Sequence, residues 1–286
     1  MKLWIIGSKG MLGSELTALC QKRSIKYVAT SHDQVDITRL DQIKKFSHSK
    51  AAEGVTHIIN CAGYTDVDQA EKKPDLARDV NALGPENIGT VATNLKIPVI
   101  HISTDYVFEG NGDQPYRETD PCNPLSVYGR TKWEGENSLL EVCLSACILR
   151  SSWFFGKKGK NFISSLFEKM KHQKELRIVS DQRGQPTVVA DLSQAILALL
   201  CHTGIYHFAN EGEVSRFQMA EKILKQMEAL KIPLTCKSLI PVNSSIFPTL
   251  AKRPSYCVLN THKISSVIGE PPRHWEESLK DYLKYA

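Results

Sequence analysis

Tyr128 and Lys132 stand four residues apart, the spacing that puts two side chains on one face of a helix. A phenol beside an ammonium is a proton donor drawn toward neutrality: an unperturbed tyrosine titrates near ~10, and a neighbouring cation favours the phenolate. This spacing arises easily by chance, so its address matters more. Tyr128 opens the helix expected after the fourth apolar strand. Thr104 ends that strand, at the sheet edge where α/β proteins bind ligands. Its hydroxyl is placed to donate to a carbonyl oxygen as charge develops there. Ser103 competes for that part, because neighbouring strand residues face opposite sides. Tyr128, Lys132 and Thr104 are the candidate catalytic groups.

The second chemical feature is Gly7-Ser8-Lys9-Gly10-Met11-Leu12-Gly13, between an apolar strand and a helical pattern. Gly7 ends the strand, Gly10 lets backbone approach a phosphate, and Gly13 permits close helix-on-sheet packing. The helix start at Met11 and Leu12 offers free N–H groups to a pyrophosphate. The spacing is GxxGxxG, a variant of the dinucleotide fingerprint. The end of the second strand, Val28-Ala29-Thr30-Ser31-His32, lacks a carboxylate for an adenosine 2′-hydroxyl. Lys9 with Ser31 or His32 is placed to meet a 2′-phosphate, which favours NADPH over NADH. Asp36 and Ile37 come soon after and are expected to face adenine; alternatively Asp36 caps the next helix.

Short β-branched runs alternate with amphipathic patterns and supply the elements that position these groups. Strands are expected at Lys2–Ile6, Lys26–Thr30, Thr56–Asn60, Pro98–Ser103 and Ala146–Arg150. Helices are expected at Met11–Lys22, Leu40–Phe46 (capped by Asp36 or Thr38), Pro74–Asn94 and Tyr128–Val142. This order predicts an α/β, Rossmann-like doubly wound parallel sheet with a smaller C-terminal substrate-binding lobe. Beyond Arg150 the pattern predicts helices at Asn161–Lys171, Ala190–Leu200 and Ser215–Leu230. Extended pieces are expected at Leu176–Val179, Ile205–Ala209 and Leu234–Ile240, followed by a proline-punctuated tail. Residues 1–152 with about 187–209 are expected to form the dinucleotide-binding domain, and about 153–186 with 210–286 the lobe.

A chain of 286 residues can bury a large core. The net charge of +5 is mild, and apart from Lys157-Lys158-Gly159-Lys160 its basic residues are dispersed. That argues against nucleic acid and suits an anionic small substrate. No run reaches the ~20 apolar residues that span a bilayer, and Leu3-Trp4-Ile5-Ile6 is strand-length rather than a signal peptide. The eight cysteines are scattered, with no partner set for zinc near Cys143 and Cys147. They read as reduced thiols of a cytoplasmic protein.

Longer segments resemble the extended short-chain dehydrogenase/reductases, specifically the dTDP-4-dehydrorhamnose reductase family. The matching segments begin with the glycine loop, residues 60–71 (NCAGYTDVDQAE) and Asn81-Ala82. They continue with residues 103–110 (STDYVFEG), 124–132 (PLSVYGRTK), 150–153 (RSSW), 181–187 (DQRGQPT) and 252–254 (KRP). The resemblance covers nearly the whole chain and implies reduction of the 4-keto group of dTDP-4-dehydro-6-deoxy-L-mannose to dTDP-L-rhamnose by NAD(P)H. Tyr128 would be the acid. Lys132 would tune it and hold the cofactor ribose, and Thr104 would bind the reacting oxygen. Ala62, Gly63 and Tyr64 would line the cofactor, while Asp105, Tyr106 and Trp153 would surround the sugar. Trp153 is alternatively an anchor between the two parts of the fold. Arg183 and Arg253 are candidates for the substrate's diphosphate, since guanidinium forks suit phosphate oxygens.

Gly63 stands where many relatives have alanine, and Phe155 where tyrosine is usual. Some relatives dimerise around Mg²⁺ held by acidic groups from the first helix and the region near 190. Here Glu15 and Asp191 are present but Ala190 is not acidic, so no metal is expected, and homodimerisation is left open. The resemblance also extends to a regulatory subunit of methionine adenosyltransferase and to nucleotide-sugar epimerases. The complete Thr104/Tyr128/Lys132 set favours the reductase.

Overall fold

Alternation along the first strand, β1 (Lys2–Ile6), sorts its side chains between two cores. Leu3 and Ile5 face one side with Leu12, Leu16 and Leu192, while Trp4 and Ile6 face the other with Ile43, Ile88 and Leu139. Both sets are fully buried, as a parallel sheet sandwiched between helices requires. The computed structural model describes residues 1–159 and 161–284; Lys160 of the basic knot lies outside them.

Five further strands complete the sheet: β2 (Lys26–Thr30), β3 (His57–Asn60), β4 (Val99–Thr104), β5 (Cys147–Ser151) and β6 (Gly204–His207). Their order is β2-β1-β3-β4-β5-β6, with every neighbouring pair parallel. Strand order reverses between β1 and β3, which opens a crevice at their carboxyl ends. Helix α1 (Met11–Lys22) packs on one face together with Val189–Ala198. The other face carries α2 (Leu40–Ser47), α3 (Gly84–Leu95) and α4 (Val127–Val142). The predicted fold class is therefore the observed one.

A second core lies under helices Phe162–His172, Arg216–Ala229 and Trp275–Leu283, with Phe155, Met219 and Trp275 among its buried residues. Asn161 and Ser215 each close a capping box at the start of the first two helices. Trp275–Leu283 and His262–Ile268 are helical where proline punctuation suggested only short pieces. The prolines lie outside both helices, and buried Trp275, Leu279 and Ile264 hold them by tertiary packing.

Two local expectations fail. The stretch Pro74–Asn94 is not one helix: Pro74–Arg78 runs into a π-helical turn at Asp79–Leu83 before α3 begins at Gly84. A Cβ on Gly135 of α4 would lie only 1.9 Å from the Asn81 carbonyl, so the turn packs backbone against backbone. Nor do Asp36 or Thr38 cap α2, whose N-cap is Arg39 without a side-chain bond. Asp36 instead accepts from the Thr38 amide and hydroxyl.

Candidate active site

The glycine loop is tied down before any ligand is considered. The amides of Gly7 and Ser8 both donate to the Thr30 carbonyl at the end of β2. Gly7 adopts φ +79°, a conformation open to glycine. A Cβ on Gly13 would meet the Gly7 carbonyl oxygen at 2.3 Å, so only glycine lets α1 start this close to the sheet. Gly10 is the N-cap and has no side chain to satisfy the first amides of α1, including those of Met11 and Leu12. Unclaimed N–H groups and the positive end of a 12-residue helix thus border the crevice.

A cavity of about 410 Å³ adjoins them, lined by Gly7, Lys9, Gly10, Asp36, Ile37, Ala62, Gly63 and Tyr64 among others. The donor set fits a dinucleotide pyrophosphate. Met11 and Leu12 contribute backbone only, because Leu12 is buried in the core and Met11 packs beside Gly156. Asn81, in the π-helical turn, clamps Tyr64 by accepting from its amide at 2.8 Å and donating to its carbonyl at 3.0 Å. A Cβ on Gly63 would meet Asn81 at 3.4 Å and the Lys132 Nζ at 3.9 Å, so the alanine of relatives would fit.

The cavity also holds a carboxylate just beyond the segment Val28–His32. Asp33 lies one residue beyond His32, lines the same space, and pairs with Lys9 across 2.5 Å. Lys9 is therefore not an unopposed cation awaiting a 2′-phosphate.

On α4, Ser126 caps the helix by accepting from the Gly129 amide. Tyr128 stands beside Tyr106 and within the influence of the Thr104 hydroxyl. Thr104 in turn donates to Asp105 Oδ1 at 2.9 Å, and Tyr106 packs edge-on against Tyr128 with ring centroids 5.7 Å apart. Of the two strand-end hydroxyls, that of Thr104 meets Asp105 while Ser103 Oγ is buried without a partner. Burial raises the Tyr128 pKa, and the Thr104 hydroxyl opposes that rise. Asp105 is pushed up to about 7 by burial, and its Oδ2 has no partner.

Lys132 has protein partners of its own. Its Nζ is buried, donates to the Ile102 carbonyl at 2.7 Å, and lies 3.1 Å from His101 Nε2. Burial pushes its pKa down to about 8, against an opposing pull from Glu136. Glu136 is itself held by a buried ion pair to Arg150.

The second cavity, about 760 Å³, is lined by Tyr106, Phe162, Gln182, Arg216 and residues 244, 245 and 247–253, among others. Arg253 borders it while paired to Asp68 at 2.6 Å. Arg183 does not border it: its guanidinium pairs with Glu213. Arg216 stands there instead, over the rings of Trp153 (4.2 Å) and Phe162 (5.1 Å) and braced by Gln182. Trp153, in the left-handed region at φ +44°, thus has a face covered by Arg216 and packs against Gly184. The sequence offered little to find Arg216, a lone cation at the start of a lobe helix. Asp191, weighed as a metal ligand, accepts from Asn210, Arg273 and Ser278. Glu15 lies by a separate small cavity with Ala190, Arg273 and Asp281.

The RmlD substrate binding domain family matches residues 1–286. A dTDP-4-dehydrorhamnose reductase of Mycobacterium tuberculosis is 36% identical, covering 99% of this chain and 92% of its own. The chain belongs to the dTDP-4-dehydrorhamnose reductase family. The spore coat polysaccharide biosynthesis protein SpsK of Bacillus subtilis is 34% identical, covering 99% of this chain and 97% of its own. Among solved structures, the dTDP-4-dehydrorhamnose reductase of Bacillus anthracis in complex with NADP has a TM-score of 0.92 at 32% identity, covering 100% and 99% of the two chains.

Proposed function

We propose that this protein reduces the 4-keto group of dTDP-4-dehydro-6-deoxy-L-mannose to dTDP-L-rhamnose with NAD(P)H. The observation that carries the reading is Tyr128 set against Tyr106 and the Thr104 hydroxyl at the carboxyl end of β4, with Tyr106 lining the cavity bordered by Arg216 and Arg253. When bound, NAD(P)H supplies the hydride. Gly7, Gly10, Gly13 and the amides of Met11 and Leu12 hold the pyrophosphate, Asp36 and Ile37 border the adenine end, and Ala62, Gly63 and Tyr64 line the nicotinamide side.

Thr104 holds the substrate's carbonyl oxygen, and Tyr128 gives it the proton that completes the hydroxyl. Lys132, reached beneath Gly63, stabilises the phenolate left behind. Asp105 and Tyr106 border the sugar, and Arg216 with Arg253 faces the diphosphate. Trp153 supports Arg216. The eight free cysteines suit a reducing cytoplasm.

The deciding assay follows NADPH absorbance with the dTDP-4-keto sugar. Oxidation that requires the sugar and yields dTDP-L-rhamnose supports the reading. Cofactor and sugar binding without turnover would overturn it.

A further inference from the structure

Asn60 and His101 are register partners on β3 and β4, both buried, and both face α4. Asn60 Oδ1 accepts from the Ala62 amide at 3.0 Å, and its Nδ2 lies 2.9 Å from His101 Nδ1. His101 Nε2 then meets Lys132 Nζ at 3.1 Å. One end of this chain is a backbone N–H, which can only donate. The carboxamide therefore presents its oxygen there and its NH₂ to His101. An imidazole accepting at Nδ1 carries its proton on Nε2. That N–H points at Lys132, and an ammonium has no lone pair to receive it. Turning Asn60 over moves the donor–donor clash to Ala62 and does not remove it.

We propose that Asn60 and His101 are positioning residues for Lys132: the Ala62 amide fixes His101 as its Nε2–H tautomer, which loosens the proton of the Lys132 ammonium. The inference rests on the role given to Lys132 above only for its effect on turnover. Burial acts in the same direction, lowering the lysine and keeping His101 neutral. The other charged groups at Lys132 are Glu136 from its own helix and the Arg150 of β5 paired to it. An exchange at Asn60 replaces neither of them.

Asn60→Asp should reverse the polarity. A carboxylate accepts from both Ala62 and His101 Nδ1–H, turning an Nε2 lone pair toward Lys132. Long-range ¹H–¹⁵N spectra of the unaltered protein should show His101 protonated at Nε2, its signals assigned by their loss in His101→Gln; protonation at Nδ1 would overturn the proposal. In folded Asn60→Asp, the Lys132 pKa read from its ¹³Cε shift should rise by at least one unit, with most of the rise lost when His101→Phe is added. The same rise without His101 would mean simple charge attraction and would also overturn it. A raised lysine pKa with an unmoved alkaline limb of kcat would instead refute the catalytic role of Lys132.

Discussion

The guanidinium of Arg216 lies 4.2 Å from the centroid of the Trp153 indole, and this contact decides which arginine borders the second cavity. Stacking on Trp153 and Phe162 holds a planar fork in place before substrate arrives, so less freedom is lost on binding. Arg183, nearby in the fold, is neutralised by Glu213. Arg216→Ala should raise KM for the nucleotide sugar ~10- to 100-fold with a much smaller change in kcat, the scale of a lost charge-assisted contact. Arg183→Ala should leave KM within about twofold. Steady-state kinetics on both variants tests the assignment, and the reverse ranking would refute it.

The proximity of Tyr128 to Thr104 supports a second expectation. Tyr128→Phe keeps the ring against Tyr106 and deletes the proton donor, so kcat should fall by ~10²- to 10⁴-fold. NADPH affinity by calorimetry should change little, because the glycine-loop amides are untouched. Thr104→Val should cost less, on the order of 10- to 100-fold, since one oxygen contact is lost while the acid remains. A Thr104→Val loss equal to that of Tyr128→Phe would show that the hydroxyl pair acts as one unit.

Regular periodicity made the sheet and its flanking helices readable: strands of four to six residues and an alternating pattern leave few alternatives. Irregular backbone was less readable. The π-helical turn at Asp79–Leu83 carries no distinctive composition, yet it places Asn81 to clamp Tyr64. Tyr128, Thr104 and the glycines were visible because their chemistry depends on local spacing. Arg216 and the Asn60–His101 pair depend on contacts between distant segments, and no local pattern encodes those. Lys132 was found but its partners were not, because His101 and the Ile102 carbonyl reach it across the sheet face.

Asp105 gives folding stability a predictable pH dependence. Burial raises its folded pKa from an ordinary carboxylate value to about 7, so the unfolded chain releases the proton first as pH rises. The stabilising contribution is complete below about pH 4 and is lost between there and about 7. The Lys132 shift acts only above about 8, whereas His101 and His207, held neutral by burial, add stability with the opposite sign as pH rises toward about 6.5. Chemical denaturation at about pH 5 and 8 should show Asp105 alone costing roughly 2–3 kcal/mol of stability at the higher pH. Asp105→Asn should raise stability at pH 8 relative to pH 5 by that amount over the unaltered protein; an unchanged difference between the two pH values would assign it to other groups.

Asp33 and Lys9 set the last expectation, the choice between the two nicotinamide cofactors. Both side chains are largely exposed at the mouth of the glycine-loop cavity, and each holds the other's charge. A 2′-phosphate entering there gains Lys9 only by displacing Asp33, and it meets a carboxylate of like sign. A 2′-hydroxyl finds an acceptor already in place. The pair should therefore make the enzyme tolerant of both cofactors, with neither strongly excluded. Asp33→Asn should lower KM for NADPH about 3- to 10-fold relative to NADH, a modest change because the site is solvated and screened by salt. Lys9→Ala should shift the ratio the opposite way. Measuring kcat/KM for both cofactors at two ionic strengths checks the sign, and the Asp33→Asn shift should shrink at the higher salt. A preference unmoved by either substitution would place cofactor discrimination elsewhere along β2.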